Sequence, residues 1–131
     1  MIERIDSIAL YVNDQEKAKR FWVEKLGFKV KADEELGPND RYVEVAPWGD
    51  DKTSFVLYNK KNVSKKNPTI NSGHPTLLFR TDNVDKMYIQ LREHDVRVGE
   101  LMDLPYGRMF SFKDQDGNSY IVRKDKELFE N

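Results

Sequence analysis

Cysteine is absent from this 131-residue chain. That excludes disulfides, thiolate metal sites and a cysteine nucleophile. Histidine is scarce, with two copies, His74 and His94. An excess of either charge is lacking too: 22 Lys and Arg stand against 23 Asp and Glu, for a net charge of −1. Such balance gives no electrostatic drive toward nucleic acid or an anionic membrane. No apolar run approaches the roughly 20 residues that cross a bilayer. The opening MIERIDS reads as the approach to a strand rather than a signal peptide. There is also no GxSxG elbow, no GxGxxG loop and no GxxxxGK[ST] phosphate loop. Composition leaves one soluble domain, residues 1–131, expected in the cytoplasm and without a nucleic-acid or membrane partner.

What is present is a duplication. Residues 8–30, IALYVNDQEKAKRFWVEKLGFKV, and residues 76–98, TLLFRTDNVDKMYIQLREHDVRV, follow the same plan. Each runs from an apolar strand through an Asp or Asn turn and an amphipathic helix to a second short strand. Aligning Asp14 with Asp82, an offset of 68 residues, pairs Leu10 with Leu78, Phe21 with Ile89, Phe28 with Val96 and Val30 with Val98. Two such units are expected to close on each other around a pocket.

Period and punctuation predict the elements. Ile8, Leu10 and Val12 alternate with Ser7, Ala9 and Tyr11, the signature of a two-faced strand. Asp14 is placed to cap a helix whose stripe is Ala18, Phe21, Trp22 and Leu26, and Gly27 to stop it in a left-handed conformation. Strands are expected at 28–32, 41–46 and 53–59, with a GPND turn at 37–40 and a tight connection at 47–51. In the second copy a strand at 76–81 leads to a helix capped by Asp82, with Val84, Met87, Tyr88 and Leu91 on one face. Strands at 96–100, 108–112 and 119–123 follow, the last two joined by the turn DQDGN at 114–118. Module one spans 1–59 and module two 74–131. The intervening 60–73, KKNVSKKNPTINSG, is expected to be a solvated linker. No aromatic residue interleaves its lysines, which argues against a nucleic-acid arm. The final KDKELFEN reads as a short helical or frayed tail.

The stretches IDSIALYVNDQEKAKRFWVEKLGFKV, GHPTLLFRTDNV and PYGRMFSFKDQDGN together resemble the vicinal oxygen chelate superfamily. That family includes glyoxalase I, bleomycin-resistance proteins, fosfomycin-modifying enzymes and extradiol dioxygenases. The resemblance spans nearly the whole chain. It implies an α+β fold of two tandem βαβββ modules forming a curled mixed sheet around a pocket, with helices outside. It also implies a homodimer, its modules paired within one chain or exchanged between two.

Metal-dependent relatives place one ligand, His or carboxylate, on each of four strands, so that two neighbouring substrate oxygens chelate the ion. Carried over one by one, those positions fall on Ser7 in SIALYVND, Phe55 in FVLYN, Thr76 and Ile121. Phe and Ile cannot coordinate a divalent ion, and a neutral hydroxyl is a poor sole anchor. No metal and no cofactor is therefore expected.

Other candidates divide between chemistry and structure. His74 stands two residues before Thr76 and reads as a loop residue, or through a register slip as a pocket residue. His94, between Glu93 and Asp95, reads as a charge at the helix C-terminus. The DQDGN turn lacks the acids at 112 and 123 that a calcium loop needs. Trp22 belongs to the helix stripe, whereas Trp48 in PWGD is either a lid or a dimer contact. Tyr42 and Glu44 either line the cavity with Tyr11, with Glu44 available as a base, or Glu44 faces outward.

Three functions follow. The first is a binding protein for a small organic molecule, with Ser7, Ala9, Phe55, Leu57, Thr76, Leu78, Ile121 and Arg123 lining an apolar cleft with a few polar points. Bleomycin itself fits poorly, since a cationic drug calls for an acidic cleft. The second is a glyoxalase-type lyase or isomerase, metal-dependent through unrecognised ligands or metal-free. The third is an interaction module with a vestigial pocket. Catalytic residues are not assigned.

Overall fold

A computed structural model describes residues 1–49, 53–66 and 73–125. The chain divides into two compact units, Met1–His74 and Pro75–Asn131. The expected tail, from residue 126 onward, and residues 67–72 of the expected linker lie outside the described residues. So do residues 50–52, which include the end of the 47–51 connection.

The first unit begins with β1 (Ser7–Val12) and a helix α1 (Gln15–Arg20) that runs on into a π-helical turn, Phe21–Lys25. It continues with β2 (Lys29–Gly37), β3 (Asp40–Ala46), β4 (Ser54–Asn59) and a second helix, α2 (Lys60–Lys66). Its sheet has the order β1-β4-β3-β2, with β1 and β4 parallel and the other pairs antiparallel. The second unit contains β5 (Leu78–Arg80), α3 (Val84–Glu93), β6 (Met102–Leu104), β7 (Gly107–Lys113) and β8 (Ser119–Asp125). Its order is β5-β8-β7-β6, with β5 and β8 parallel. The protein is α+β, built from tandem βαβββ modules, each with its own open four-stranded mixed sheet.

Local chemistry sets most boundaries. Asp14 caps α1, its carboxylate accepting the Lys17 N–H at 3.0 Å. Gly27 takes the left-handed conformation after the π turn, with φ 75°. In the second unit the cap is Asn83, whose side chain accepts the Lys86 N–H at 3.0 Å. The expected cap, Asp82, lies one residue too early. Caps Asp14 and Asn83 are 69 residues apart, while the left-handed stops Gly27 and Asp95 (φ 59°) are 68 apart.

The π turn absorbs the difference. A π turn adds one residue to a helix, and here the Phe21 carbonyl accepts from Leu26 N–H, five residues on, at 3.3 Å. Before the helices the modules therefore align at 69 and after them at 68. Leu10 corresponds to Phe79 rather than to Leu78, and Phe21 does not correspond to Ile89, which is 55% exposed. The expected pair Phe28 and Val96 holds, both buried.

Each unit buries one face of its sheet against its helix. Trp22 packs at 5.0 Å from the rings of both Phe28 and Phe55, and Leu10, Val12 and Leu57 are buried as well. In the second unit Phe112 stacks on Tyr120 at 5.1 Å, and Tyr88 of α3 meets Phe110 edge-on at 5.3 Å. Burying such side chains contributes about 1.5–3 kcal/mol each.

Three elements differ from expectation. β2 extends to Gly37 because the edge strand continues through exposed charged residues whose lack of apolar alternation hid it. The strand expected at 96–100 reduces to an isolated bridge, Val98 to Phe112, and β6 forms instead at Met102–Leu104. The linker begins as α2, because Asn59 accepts the Asn62 N–H at 3.0 Å and so caps it.

Candidate functional site

The faces opposite α1 and α3 hold the polar and half-buried groups. In the first unit the parallel register pairs Ser7 with Ser54, Ala9 with Val56 and Tyr11 with Tyr58. Registered partners project to the same side, so these six residues share the face opposite α1. Glu44 joins them as the β3 partner of Val56.

That register corrects the expected lining. Phe55 is the partner of Ile8 and Leu57 the partner of Leu10, so both lie on the α1 side. Phe55 is 5% exposed, within the Trp22 and Phe28 cluster, and Leu57 is fully buried. Neither shares a face with Ser7 and Ala9. In the second unit Leu78 pairs with Ile121 and Arg80 with Arg123. Because Ala9 pairs with Val56 as Leu78 pairs with Ile121, the first-unit counterpart of Ile121 is Val56. The family's acid position in module one thus falls on Val56.

Glu44 is the best-held polar group on the first face. Its carboxylate accepts the hydroxyls of Tyr42, at 2.8 Å, and of the buried Ser54, and Lys31 Nζ stands 3.7 Å away. Burial pushes the carboxyl upward, but the Ser54, Tyr42 and Lys31 contacts together outweigh it and hold the group below its ordinary value. The bond to Glu44 also pushes the Tyr42 phenol up to about 12. Beside this cluster the Tyr11 and Tyr58 rings stack at 6.0 Å. A carboxylate so held accepts hydrogen bonds well and abstracts protons poorly.

On the second unit's face, Ser111 and Met109 of β7 flank Ile121 and Arg123, and Met102 pairs with Met109. The Arg123 guanidinium lies 5.6 Å from the Tyr106 ring centroid. Leu78 is 54% exposed. Thr76 is exposed and precedes β5.

The remaining candidates are placed as follows. His74 is part-buried outside any strand. His94 is the C-cap of α3, its Nδ1 2.8 Å from the Gln90 carbonyl. Trp48 is 73% exposed, with Lys29 Nζ 5.6 Å from its ring centroid. The buried Asp114 turns inward: it accepts the backbone N–H of Asp116 at 2.9 Å and of Asn118 at 3.0 Å, and the Tyr120 hydroxyl at 2.6 Å. Those bonds make DQDGN a hairpin turn with its leading carboxylate occupied. Elsewhere a polar cleft of about 560 Å³ is lined by Gln15, Asn39, Arg41 and Lys61 among others. Several lining groups bond to the protein: Gln15 donates to the Arg41 and Leu57 carbonyls at 2.8 Å, and Arg41 pairs with Asp33 and Glu16.

The residues at the family's metal positions do not fit an ion. With Val56 in place of Phe55 the set becomes Ser7, Val56, Thr76 and Ile121, two of which carry no donor atom. Among the described residues no three His, Cys, Asp or Glu side chains are grouped to hold one. Sequence reasoning missed Val56, Tyr58, Ser54 and Arg80 on these faces. Alternation alone would have grouped Arg80 with Leu78, and Ser54 with Val56 and Tyr58.

Comparison with known proteins agrees with this architecture. The sequence pattern of the Glyoxalase/Bleomycin resistance protein/Dioxygenase superfamily matches residues 4–120. The chain is 34% identical over 125 residues to the uncharacterized protein YetH of Bacillus subtilis, covering 95% of this chain and 100% of YetH. It resembles TnmS3, an antibiotic binding protein from Streptomyces sp. CB03234, with TM-score 0.80 and 37% identity over 95% of this chain and 98% of that one. Lactoylglutathione lyase from Agrobacterium tumefaciens shares the fold, with TM-score 0.73 and 19% identity over 99% and 98% of the two chains. The chain belongs to the glyoxalase, bleomycin resistance protein and dioxygenase superfamily.

Proposed function

We propose that the protein binds a small organic molecule without a metal ion, on the sheet faces opposite α1 and α3. The observation that carries this reading is the make-up of those faces. On the first unit's face stacked Tyr11 and Tyr58 and the aliphatic Ala9 accompany one fixed polar point, Glu44, and on the second unit's face Leu78 and Ile121 lie on the strands that carry Arg80 and Arg123. Apolar surface with sparse, oriented polar groups is how organic ligands are held. The likeness to an antibiotic-binding protein over nearly the full length of both chains supports it.

Ser7 and Ala9 on the first unit's face and Thr76, Leu78, Ile121 and Arg123 on the second's are the lining residues in this reading, with the exposed Tyr58 added and Phe55 and Leu57 removed. The protein acts as a homodimer, as the family resemblance implies, and its composition suits the cytoplasm; sedimentation equilibrium checks the assembly. A lyase reading is less well served, because Glu44, the carboxylate best placed to be a base, is held below its ordinary range.

A thermal-shift screen of organic molecules, including planar aromatic antibiotics, tests the proposal in the presence of EDTA. A ligand at 100 times its Kd adds about 2.7 kcal/mol of stability. Failure of every compound in EDTA, with shifts appearing only on adding zinc, nickel, cobalt or manganese, would contradict it.

A further inference from the structure

The polar cleft of about 560 Å³ lies within the first unit and shares no residue with the face that carries Tyr11 and Glu44. The β2–β3 hairpin contributes Glu35 and Asp40 to its lining, and the end of β4 with α2 contributes Asn59, Lys61 and Lys65. Side-chain amides fix these elements in place. Asn62 donates to the Asn39 carbonyl at 2.7 Å, tying α2 to the hairpin. Gln15 donates to the Arg41 and Leu57 carbonyls at 2.8 Å, tying α1 to β3 and β4.

Among the described residues that line the cleft, Pro38 carries the sole apolar side chain. The charges are divided between the elements. Arg41 is already engaged by Asp33 and Glu16. Lys61 and Lys65 stand at i and i+4 of α2, where like charges share a helix face and repel. No acidic residue occurs in residues 60–73 to offset them. Among the described residues neither lysine has an ion-pair partner, and neither does Glu35.

We propose that this cleft is a second binding site, for a small hydrophilic zwitterion of the amino-acid or dipeptide class. The carboxylate of the ligand meets Lys61 and Lys65, and its ammonium meets Glu35, through charge-assisted hydrogen bonds. The Gln15, Asn59 and Asn62 side chains offer amide oxygens and N–H groups to its uncharged polar atoms. A simple anion meets repulsion from the hairpin carboxylates, and a simple cation meets it from the lysines. An apolar molecule strips water from charged groups and replaces none of it. A zwitterion satisfies both sides. This site goes beyond the organic-ligand reading of the sheet faces and does not depend on it.

Calorimetric titration with dialanine, N-acetyl-dialanine and dialanine amide tests the inference. Wild type binds dialanine, and capping either end weakens binding about tenfold, or about 1.4 kcal/mol. Glu35→Gln abolishes the discrimination against the acetylated peptide and keeps that against the amide. Lys61→Gln with Lys65→Gln does the reverse. All three side chains are exposed, and urea midpoints confirm that the variants are folded.

Failure of dialanine to bind wild type, or equal binding of the three peptides, overturns the inference while the organic-ligand reading stands. Discrimination that survives unchanged in both variants puts the peptide elsewhere on the protein and overturns it too. So does loss of dialanine binding in Tyr58→Ala with full binding in the Glu35 and lysine variants, which would put the zwitterion on the sheet face.

Discussion

The buried Ser54 hydroxyl donates to the Glu44 carboxylate across the β3–β4 pairing, and Tyr42 donates to the same carboxylate from two residues away at 2.8 Å. Removing the acceptor strands two hydroxyls, and an unpaired buried donor costs about 1–3 kcal/mol. Glu44→Ala is expected to lower stability by about that amount, measured as a fall in the urea midpoint.

The same contact has a spectroscopic signature. The Glu44 bond leads the causes that raise Tyr42 to about 12. In Glu44→Gln the phenol should titrate closer to the ordinary value near 10, read as tyrosinate absorbance against pH. The raised phenol contributes stability that is whole below the unfolded value and is lost as pH rises toward 12. Tyr42→Phe should flatten the stability profile in that alkaline window.

At the acid end the relevant group is Asp33. Arg41 bonds it through Nε at 2.8 Å and Nη2 at 2.7 Å, and Lys19 at 2.7 Å. Arg41 and then Lys19 hold its carboxyl far below the usual range. A depressed value contributes stability that is present above the unfolded value and lost as pH falls through the folded one. Asp33→Asn should therefore lower stability at neutral pH and flatten acid unfolding below about pH 4.

Phe55 separates packing from binding. Because it faces α1 among Trp22 and Phe28, Phe55→Ala should cost about 3–5 kcal/mol in urea unfolding. If it lined the ligand face instead, binding would fall with little change in stability.

Asp114 and Tyr120 pin the last hairpin, joined at 2.6 Å beneath the turn. Tyr120→Phe and Asp114→Asn should couple by about 0.5–3 kcal/mol in a double-mutant cycle. Additive losses would show that the bond is dispensable.

The residues themselves show why some of this was legible in the sequence and some was not. Asp14, Gly27 and DQDGN announce their roles because caps and turns depend on local chemistry, and α3 shows a clean 3.6 period. The β1–β4 register was hidden because Ser54, Phe55, Val56 and Leu57 are all buried, so alternation separated two sets without showing which of them shares the Ser7 face. A one-residue π insertion is invisible to an ungapped alignment, and it shifted Leu10 onto Leu78. The helix α2 arises from one cap, Asn59, in a lysine-rich stretch without an apolar stripe. Strand pairings and faces are long-range facts that local patterns do not carry.

The most direct test of metal-free recognition is the Kd of a ligand found by screening, measured calorimetrically on EDTA-dialysed protein and again after adding zinc or nickel. The account predicts the same Kd in both. Binding that appears only with one ion per chain would contradict it.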